Sequence, residues 1–231
     1  MRIVLVSPYD DRCYGSRSLG AFLRRHGHDV WLVVLKRYIS KPVSLEEFAA
    51  VRHPPPGSFS AVTETIEEGN YICCHIEPIT ANEYRLFFER LSTIRPDLIG
   101  LSLTTPTAGA GREITECLKR EFPRVPVIWG GIHPSIDPEQ CIQWTDLVCL
   151  GDGEYPLLEL AGDLERTDIA SIWRREKDTI VRNPVRPLEQ NLDLFPFASW
   201  GENEVLIDCD QIHDLPSSNR TYFRGISFIM T

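Results

Sequence analysis

No apolar run in this chain approaches the roughly 18 residues that a membrane-spanning helix needs. The longest, Val30–Leu35, has the length of a strand. Met1–Pro8 lacks the extended apolar region and small-residue cleavage site of a signal peptide, so the chain is expected to be cytoplasmic, without a transmembrane segment. Basic surplus is missing too. The 24 Lys and Arg against 33 Asp and Glu leave a net charge of −9, whereas nucleic-acid proteins carry a basic excess or stripe. No nucleic-acid partner is expected. The seven cysteines (13, 73, 74, 117, 141, 149, 209) are scattered, and none forms a C-x-x-C pair. They read as reduced thiols rather than a disulfide framework or a zinc site. Neither G-x-G-x-x-G nor a Walker sequence occurs, so the usual phosphate cradles of dinucleotide and nucleoside-triphosphate sites are absent.

What is present is an alternation of strand and helix signals. Arg2–Val6 is a β-branched run closed by Ser7-Pro8. Ser16–His26 carries Leu19, Phe22 and Leu23 at helical spacing and is stopped by Gly27. Val30–Leu35 is a second strand, and strand–helix–strand in this span is a βαβ unit with a parallel pair. Further strands are predicted at Asp97–Leu103, Val125–Trp129 and Leu147–Leu150. Helices are predicted at Ala81–Ile94, Ala108–Phe122, Pro138–Trp144 and Gly153–Leu164. The sum is an α/β fold: a doubly wound, flavodoxin- or Rossmann-like sheet of five parallel strands. Residues 38–79 break the rhythm, with Pro54-Pro55-Pro56-Gly57 excluding helix and central strand, and read as an insertion over the sheet edge or crevice. After residue 165 the pattern changes to a hairpin at Ile172–Val181, turning at Glu176-Lys177-Asp178. A proline-rich linker follows over 183–200, and Tyr222–Thr231 reads as the start of a strand.

Ligands of open α/β sheets sit outside the carboxyl ends of the strands, so the loops there carry the chemistry. After strand one comes Ser7–Ser16. After strand three, Ser102, Thr104, Thr105 and Thr107 place four hydroxyls within six residues. Capping of the next helix by Thr105 or Thr107 accounts for one of them, and the others want a partner. After strand four, Gly130-Gly131 permits either a close approach or a turn of positive φ. After strand five, Gly151-Asp152-Gly153-Glu154 opens a helix that can receive a polar group at its N-terminus or be capped by Asp152.

Together these loops resemble the cobalamin-binding domain family, marked by D-x-H-x-x-G after strand one, a Ser/Thr motif after strand three and Gly-Gly after strand four. In familiar members the histidine is the lower axial ligand of cobalt. Here the motif reads Asp10-Asp11-Arg12-Cys13-Tyr14-Gly15, with Arg12 in the histidine slot. That departure is similar to one branch, the cobalamin-dependent radical SAM proteins. Gly130-Gly131-Ile132-His133-Pro134-Ser135 with Pro138-Glu139 resembles their G-G-x-H-P-[ST]…P-E stretch. Gly151-Asp152-Gly153-Glu154 resembles their G-E-G-E, and Asn191–Phe197 resembles the segment that joins their two domains.

The resemblance implies a cobalamin-binding domain over residues 1–165 and a hairpin and linker over 166–231. Cobalamin is then contacted by Tyr9, Asp10, Arg12, Gly15 and Ser16; by Ser102, Thr104, Thr105 and Thr107; by Gly130, Gly131, His133 and Pro134; and by Gly151, Gly153 and Glu154. His133, on a loop before Pro134, is read as a partner of the cobalamin tail or backbone rather than of cobalt. No catalytic residue and no metal ligand is assigned. The C-x-x-x-C-x-x-C triad that holds a [4Fe–4S] cluster beside SAM does not occur, so the chain is expected to stop just before it, with cluster and SAM belonging to a further domain. The implied function is base-off, His-off cobalamin binding for a radical methyltransferase or rearrangement enzyme acting on a small molecule or lipid in natural-product or lipid biosynthesis. Two other classes stay open: a stand-alone cobalamin carrier or sensor, and a Rossmann-type nucleotide-dependent transferase.

Overall fold

Alternation along the first strand sets the architecture. In β1 (Arg2–Pro8), Ile3 and Leu5 belong to one core cluster and Val4 and Val6 to the other, as side chains of period two must. All four are almost fully buried, so the strand needs helices on both faces. The computed structural model describes residues 1–44, 59–66, 70–177, 179–200 and 203–214.

On one face lie α1 (Tyr14–Arg25) and α6 (Glu154–Gly162), which bring Phe22, Leu23, Leu157 and Leu160 onto Ile3, Leu5 and Leu32 of the sheet. On the other lie α2 (Ala81–Ile94) and α3 (Ala108–Glu121), with Phe87, Leu91, Ile114 and Leu118 against Val4, Val33 and Leu101. The start of α2 is a reciprocal capping box. Glu83 N–H donates to the Thr80 hydroxyl, and Thr80 N–H donates to the Glu83 carboxylate.

The remaining central strands are β2 (Asp29–Leu35), β6 (Leu98–Ser102), β7 (Val127–Gly130) and β8 (Leu147–Cys149). Their order is β8-β7-β6-β1-β2, all parallel. This is the five-stranded flavodoxin-like order that the sequence predicts, and the winding reverses between β1 and β6. Short helices α4 (Ile132–Ile136) and α5 (Pro138–Cys141) connect β7 to β8. The helix predicted at 138–144 is thus present but ends at Cys141, and the short helix Ile132–Ile136 before it was not predicted.

Among the described residues the sheet is nine strands wide, beyond the five parallel strands read from the sequence. At one edge the expected hairpin, β9 (Ile172–Glu176) and β10 (Thr179–Arg182), continues the sheet antiparallel to β8. At the other edge β11 (Glu204–Asp208) pairs parallel with β2, and β12 (Gln211–Asp214) pairs antiparallel with β11. Sequence reading missed this second pair. Residues 204–214 do not lead away from the domain; they return and extend the sheet beyond β2.

The interrupting stretch between β2 and α2 contains a separate antiparallel sheet of order β3-β5-β4, from β3 (Ile39–Ser44), β4 (Phe59–Ile66) and β5 (Asn70–Ile76). Its exit is tied to the main body at two points. The Tyr9 hydroxyl donates to Glu77 O at 2.8 Å, and Lys36 Nζ donates to Pro78 O at 3.1 Å while pairing with the fully buried Glu83. The Pro54–Gly57 stretch and the strand expected at Tyr222–Thr231 lie outside the described residues.

Candidate functional site

Where the winding reverses, neighbouring connections leave on opposite faces and open a crevice at the carboxyl ends of the strands. Here that crevice has a volume of about 200 Å³. Its floor is Leu5 of β1, Gly100, Leu101 and Ser102 of β6, Ile128 and Gly130 of β7, and Cys149 of β8. Its walls are Gly15, Ser16 and Leu19 of α1 and Gly151–Glu154 with Leu157 at the start of α6. The glycines create the space. A Cβ on Gly100 would stand 3.2 Å from Leu5 and 3.5 Å from Ile128, and one on Gly153 would stand 3.4 Å from Leu19. The interior is apolar, and the polar groups Ser16, Ser102, Asp152 and Glu154 come from the surrounding loops and helix starts.

Eight of the sixteen predicted residues line this crevice: Gly15, Ser16, Ser102, Gly130, Gly131, Gly151, Gly153 and Glu154. The others are elsewhere. Tyr9 is buried in the left-handed region and holds Glu77, which is an anchoring role. Asp10 accepts from the Arg12 backbone N–H at 3.0 Å, closing the turn, and Ser7 Oγ donates to Asp10 O at 2.9 Å. Arg12 is exposed, and among the described residues its guanidinium forms no ion pair with Asp10 or Asp11.

After β6, the hydroxyls of Thr104 and Thr107 engage each other. Thr104 N–H donates to Thr107 Oγ1 at 3.0 Å, and Thr107 Oγ1 lies 3.1 Å from Thr104 O. Thr107 is buried in this box. Thr104 and Thr105 are exposed, and Ser102 is the one of the four that reaches the crevice.

After β7, Gly131 has φ 100° and ψ −167°, a region essentially reserved for glycine. A Cβ there would lie 2.7 Å from Leu103 O. The turn is then closed by Leu103 N–H donating to Gly130 O at 2.8 Å and His133 N–H donating to Leu103 O at 3.1 Å. His133 and Pro134 are buried outside the crevice lining, and His133 Nε2 has no hydrogen-bond partner among the described residues. Ser135, which the prediction passed over, bridges two loops at the mouth. Its hydroxyl donates to Gly131 O at 2.9 Å and accepts from Gly151 N–H at 3.0 Å.

At the start of α6 the cap is Gly153, with no side-chain bond, so Asp152 does not cap this helix. Burial raises the Glu154 carboxyl above the ordinary carboxylate range, helped by nearby Asp152 and opposed by local backbone bonds and the Ser18 hydroxyl. Burial also pushes the Cys149 thiol up to about 12, so it is an inert wall residue rather than a nucleophile. Among the described residues no group of His, Cys, Asp and Glu could hold a metal ion, and no helix is long and apolar enough to cross a membrane.

Sequence reading missed Leu5, Leu19, Gly100, Leu101, Ile128, Cys149, Asp152 and Leu157 as lining. Six of these have no signature other than core composition. Gly100, alone inside an apolar strand, carries a signal for close approach.

Residues 74–161 match the family model of the B12 binding domain. Ser102, Gly130-Gly131 and Gly151–Glu154 fall inside that match, and Arg12 and Gly15 fall outside it. An uncharacterized methyltransferase of Pyrococcus horikoshii is 30% identical over 112 residues, covering 46% of this chain and 24% of that protein. The anaerobic magnesium-protoporphyrin IX monomethyl ester cyclase of Rubrivivax gelatinosus is 25% identical over 155 residues, covering 61% of this chain and 27% of that one. Among solved structures, the radical S-adenosylmethionine methyltransferase TsrM of Kitasatospora setae, bound to cobalamin and a [4Fe-4S] cluster, shares the fold. The TM-score is 0.52 at 19% identity, over 85% of this chain and 31% of that one. The chain thus spans about a quarter of the length of the curated relatives it matches. The resemblance read from the loop motifs, to the B12 domain of cobalamin-dependent radical SAM proteins, is borne out.

Proposed function

We propose that this chain binds cobalamin base-off and His-off, as the B12 domain of a radical SAM enzyme. The observation that carries this reading is the glycine-floored, apolar crevice at the β1/β6 reversal, most of whose loops fall within the match to the B12 binding domain. Its chemistry suits the group. The space left at Gly100, Gly130 and Gly153 admits a flat ring system, Ser102 and Glu154 offer polar contacts beside it, and no phosphate loop competes for the site. These residues would hold the nucleotide tail of the cofactor.

Cobalamin, when bound, supplies the cobalt–carbon chemistry; the protein supplies binding and orientation. Arg12 occupies the histidine position of the D-x-H-x-x-G motif. A guanidinium is a cation with no lone pair to donate to cobalt. An arginine at this motif position would offer cobalt no protein nitrogen, and the chemistry a cobalamin would then supply is transfer of a methyl group. Gly15 and Ser16, which line the crevice, would contact the tail, and Ser135 holds the two loops of the mouth together. For the whole protein, the reading is a radical methyltransferase or rearrangement enzyme acting on a small molecule or lipid, with cluster and SAM bound by a further domain.

Equilibrium dialysis of the chain against hydroxocobalamin and against a nucleotide panel tests the reading. Retention of cobalamin with a base-off spectrum is expected, with Arg12→His moving the spectrum towards nitrogen ligation. Parent protein showing nitrogen ligation would overturn the His-off assignment, and retention of a nucleotide alone would overturn the cofactor.

A further inference from the structure

Arg17 is the most deeply buried charged side chain near the crevice, and nothing in the motif reading uses it. Its side chain is 0% exposed, and that of its partner Glu204 is 4% exposed. Among the described residues its guanidinium donates to three partners. Nη1 donates to Glu204 Oε1 at 2.5 Å, Nη2 donates to Asp11 O at 3.1 Å and Nε donates to Arg12 O at 2.9 Å. Trp200 lies over it at 5.1 Å and packs edge-on against Tyr14.

Two carbonyls of the D-x-R-x-x-G loop are thus turned inwards onto one rigid fork, and the fork is oriented by a carboxylate from β11, 187 residues away in sequence. Burying this pair is costly, and an apolar pair of similar size would often stabilise the fold as well or better. An apolar pair would not aim the carbonyls of Asp11 and Arg12.

We infer that the buried Arg17–Glu204 pair is a positioning device for Arg12: β11 sets the conformation of the loop after β1, and so where the Arg12 side chain stands. This rests on the reading of Arg12 as the group that occupies the place of a lower-face ligand. Arg17 and Glu204 act through Arg12 and touch no cofactor themselves.

The test uses the full chain with three replacements. Arg17→Lys keeps the charge opposite Glu204 but cannot span three partners, having a point charge instead of a planar fork. Glu204→Gln keeps an acceptor without charge. The double variant Arg17→Met/Glu204→Leu leaves no orphaned charge. Each is measured for thermal unfolding, hydroxocobalamin affinity and the absorption and EPR spectra of bound cob(II)alamin, alone and combined with Arg12→Ala.

In folded Arg17→Lys, cobalamin affinity is expected to fall about tenfold, roughly 1.4 kcal/mol, and the cob(II)alamin spectrum to shift to the water-ligated form, as in Arg12→Ala. Combined with Arg12→Ala, the same replacement is expected to change neither quantity further. Effects that instead add to those of Arg12→Ala, or an unchanged spectrum in a folded variant, overturn the inference and leave cobalamin binding intact. So does failure of all three to unfold cooperatively, which makes the pair purely structural. A parent chain that does not bind cobalamin overturns the functional reading itself.

Discussion

Gly130 and Gly131 are adjacent, yet the structure assigns opposite consequences to replacing them by alanine. At Gly131 the backbone is in a region essentially closed to other residues, with a strain of about 2 kcal/mol for an alanine. Its Cβ would also press on Leu103 O at 2.7 Å and Leu103 N at 3.0 Å. Leu103 cannot retreat freely, because its carbonyl accepts from His133 N–H and its N–H donates to Gly130 O. Losing the better part of one such bond adds about 1 kcal/mol. The sum is about 3 kcal/mol, which for a chain of this size lowers Tm by roughly 6–12 °C. At Gly130 the added Cβ meets only Cys149 Cβ, at an ordinary 3.8 Å. Folding stability should change by no more than about 1 kcal/mol, with a gain allowed through the unfolded chain. That methyl group, however, is added to the lining of the crevice, so cobalamin binding should weaken in a fully folded protein. Thermal and urea unfolding with a parallel cobalamin titration separate the two. A Gly131→Ala protein as stable as the parent, or a Gly130→Ala protein less stable than Gly131→Ala, would refute this account of the turn.

Glu154 gives a pH signature. Burial raises its carboxyl, so the native state holds that proton more tightly than the unfolded chain. The resulting stabilisation is present below the ordinary glutamate range and lost as pH rises through the folded value. Glu154→Gln should therefore raise the urea midpoint at pH 7, and the gain should shrink in acid; a gain that grows in acid contradicts the sign. The apolar floor of the crevice predicts a preference among tails. Leu5, Leu101, Ile128 and Leu157 offer no hydrogen bonds to the amino group and ring nitrogens of adenine, so an adenine-tailed cobamide should bind about tenfold more weakly than cobalamin. Equal dissociation constants would show that the base lies elsewhere. Removing one partner of the buried Lys36–Glu83 pair, as in Glu83→Ala, should cost about 3–5 kcal/mol in chemical denaturation. Lys36→Met/Glu83→Leu should cost clearly less, and equal costs would mean that the loss comes from the α2 cap and packing rather than from the orphaned charge.

Much of the architecture is legible locally. The apolar runs of β1, β2, β6 and β7 and the helical spacing of Leu19, Phe22 and Leu23 each depend on neighbours a few residues apart. A parallel sheet with a reversal follows from their alternation, and the crevice follows from the reversal. The loops were legible as loops, and Gly131 as a residue with a backbone requirement. The hydroxyls after β6 were not resolved by sequence, because four of them within six residues give no sign of which will bond to each other. Thr104 and Thr107 do so, and Ser102 alone faces the crevice.

Strands β11 and β12 escaped for a different reason. Glu204–Asp208 holds only three apolar residues between two acids, a run too short to declare its partner, and the residues it pairs with lie 172 positions earlier. Burial of Arg17 escaped with it, since a helix arginine looks solvated until the opposing carboxylate is known. The sequence by itself determined the parallel core, the reversal and the identity of the loop residues, because side-chain period and turn chemistry are local. Only the tertiary structure decided that core-type residues such as Leu5 and Ile128 would double as crevice wall, and that a late strand would brace the first loop. Both depend on which surfaces the folded chain leaves uncovered, and no local pattern encodes that.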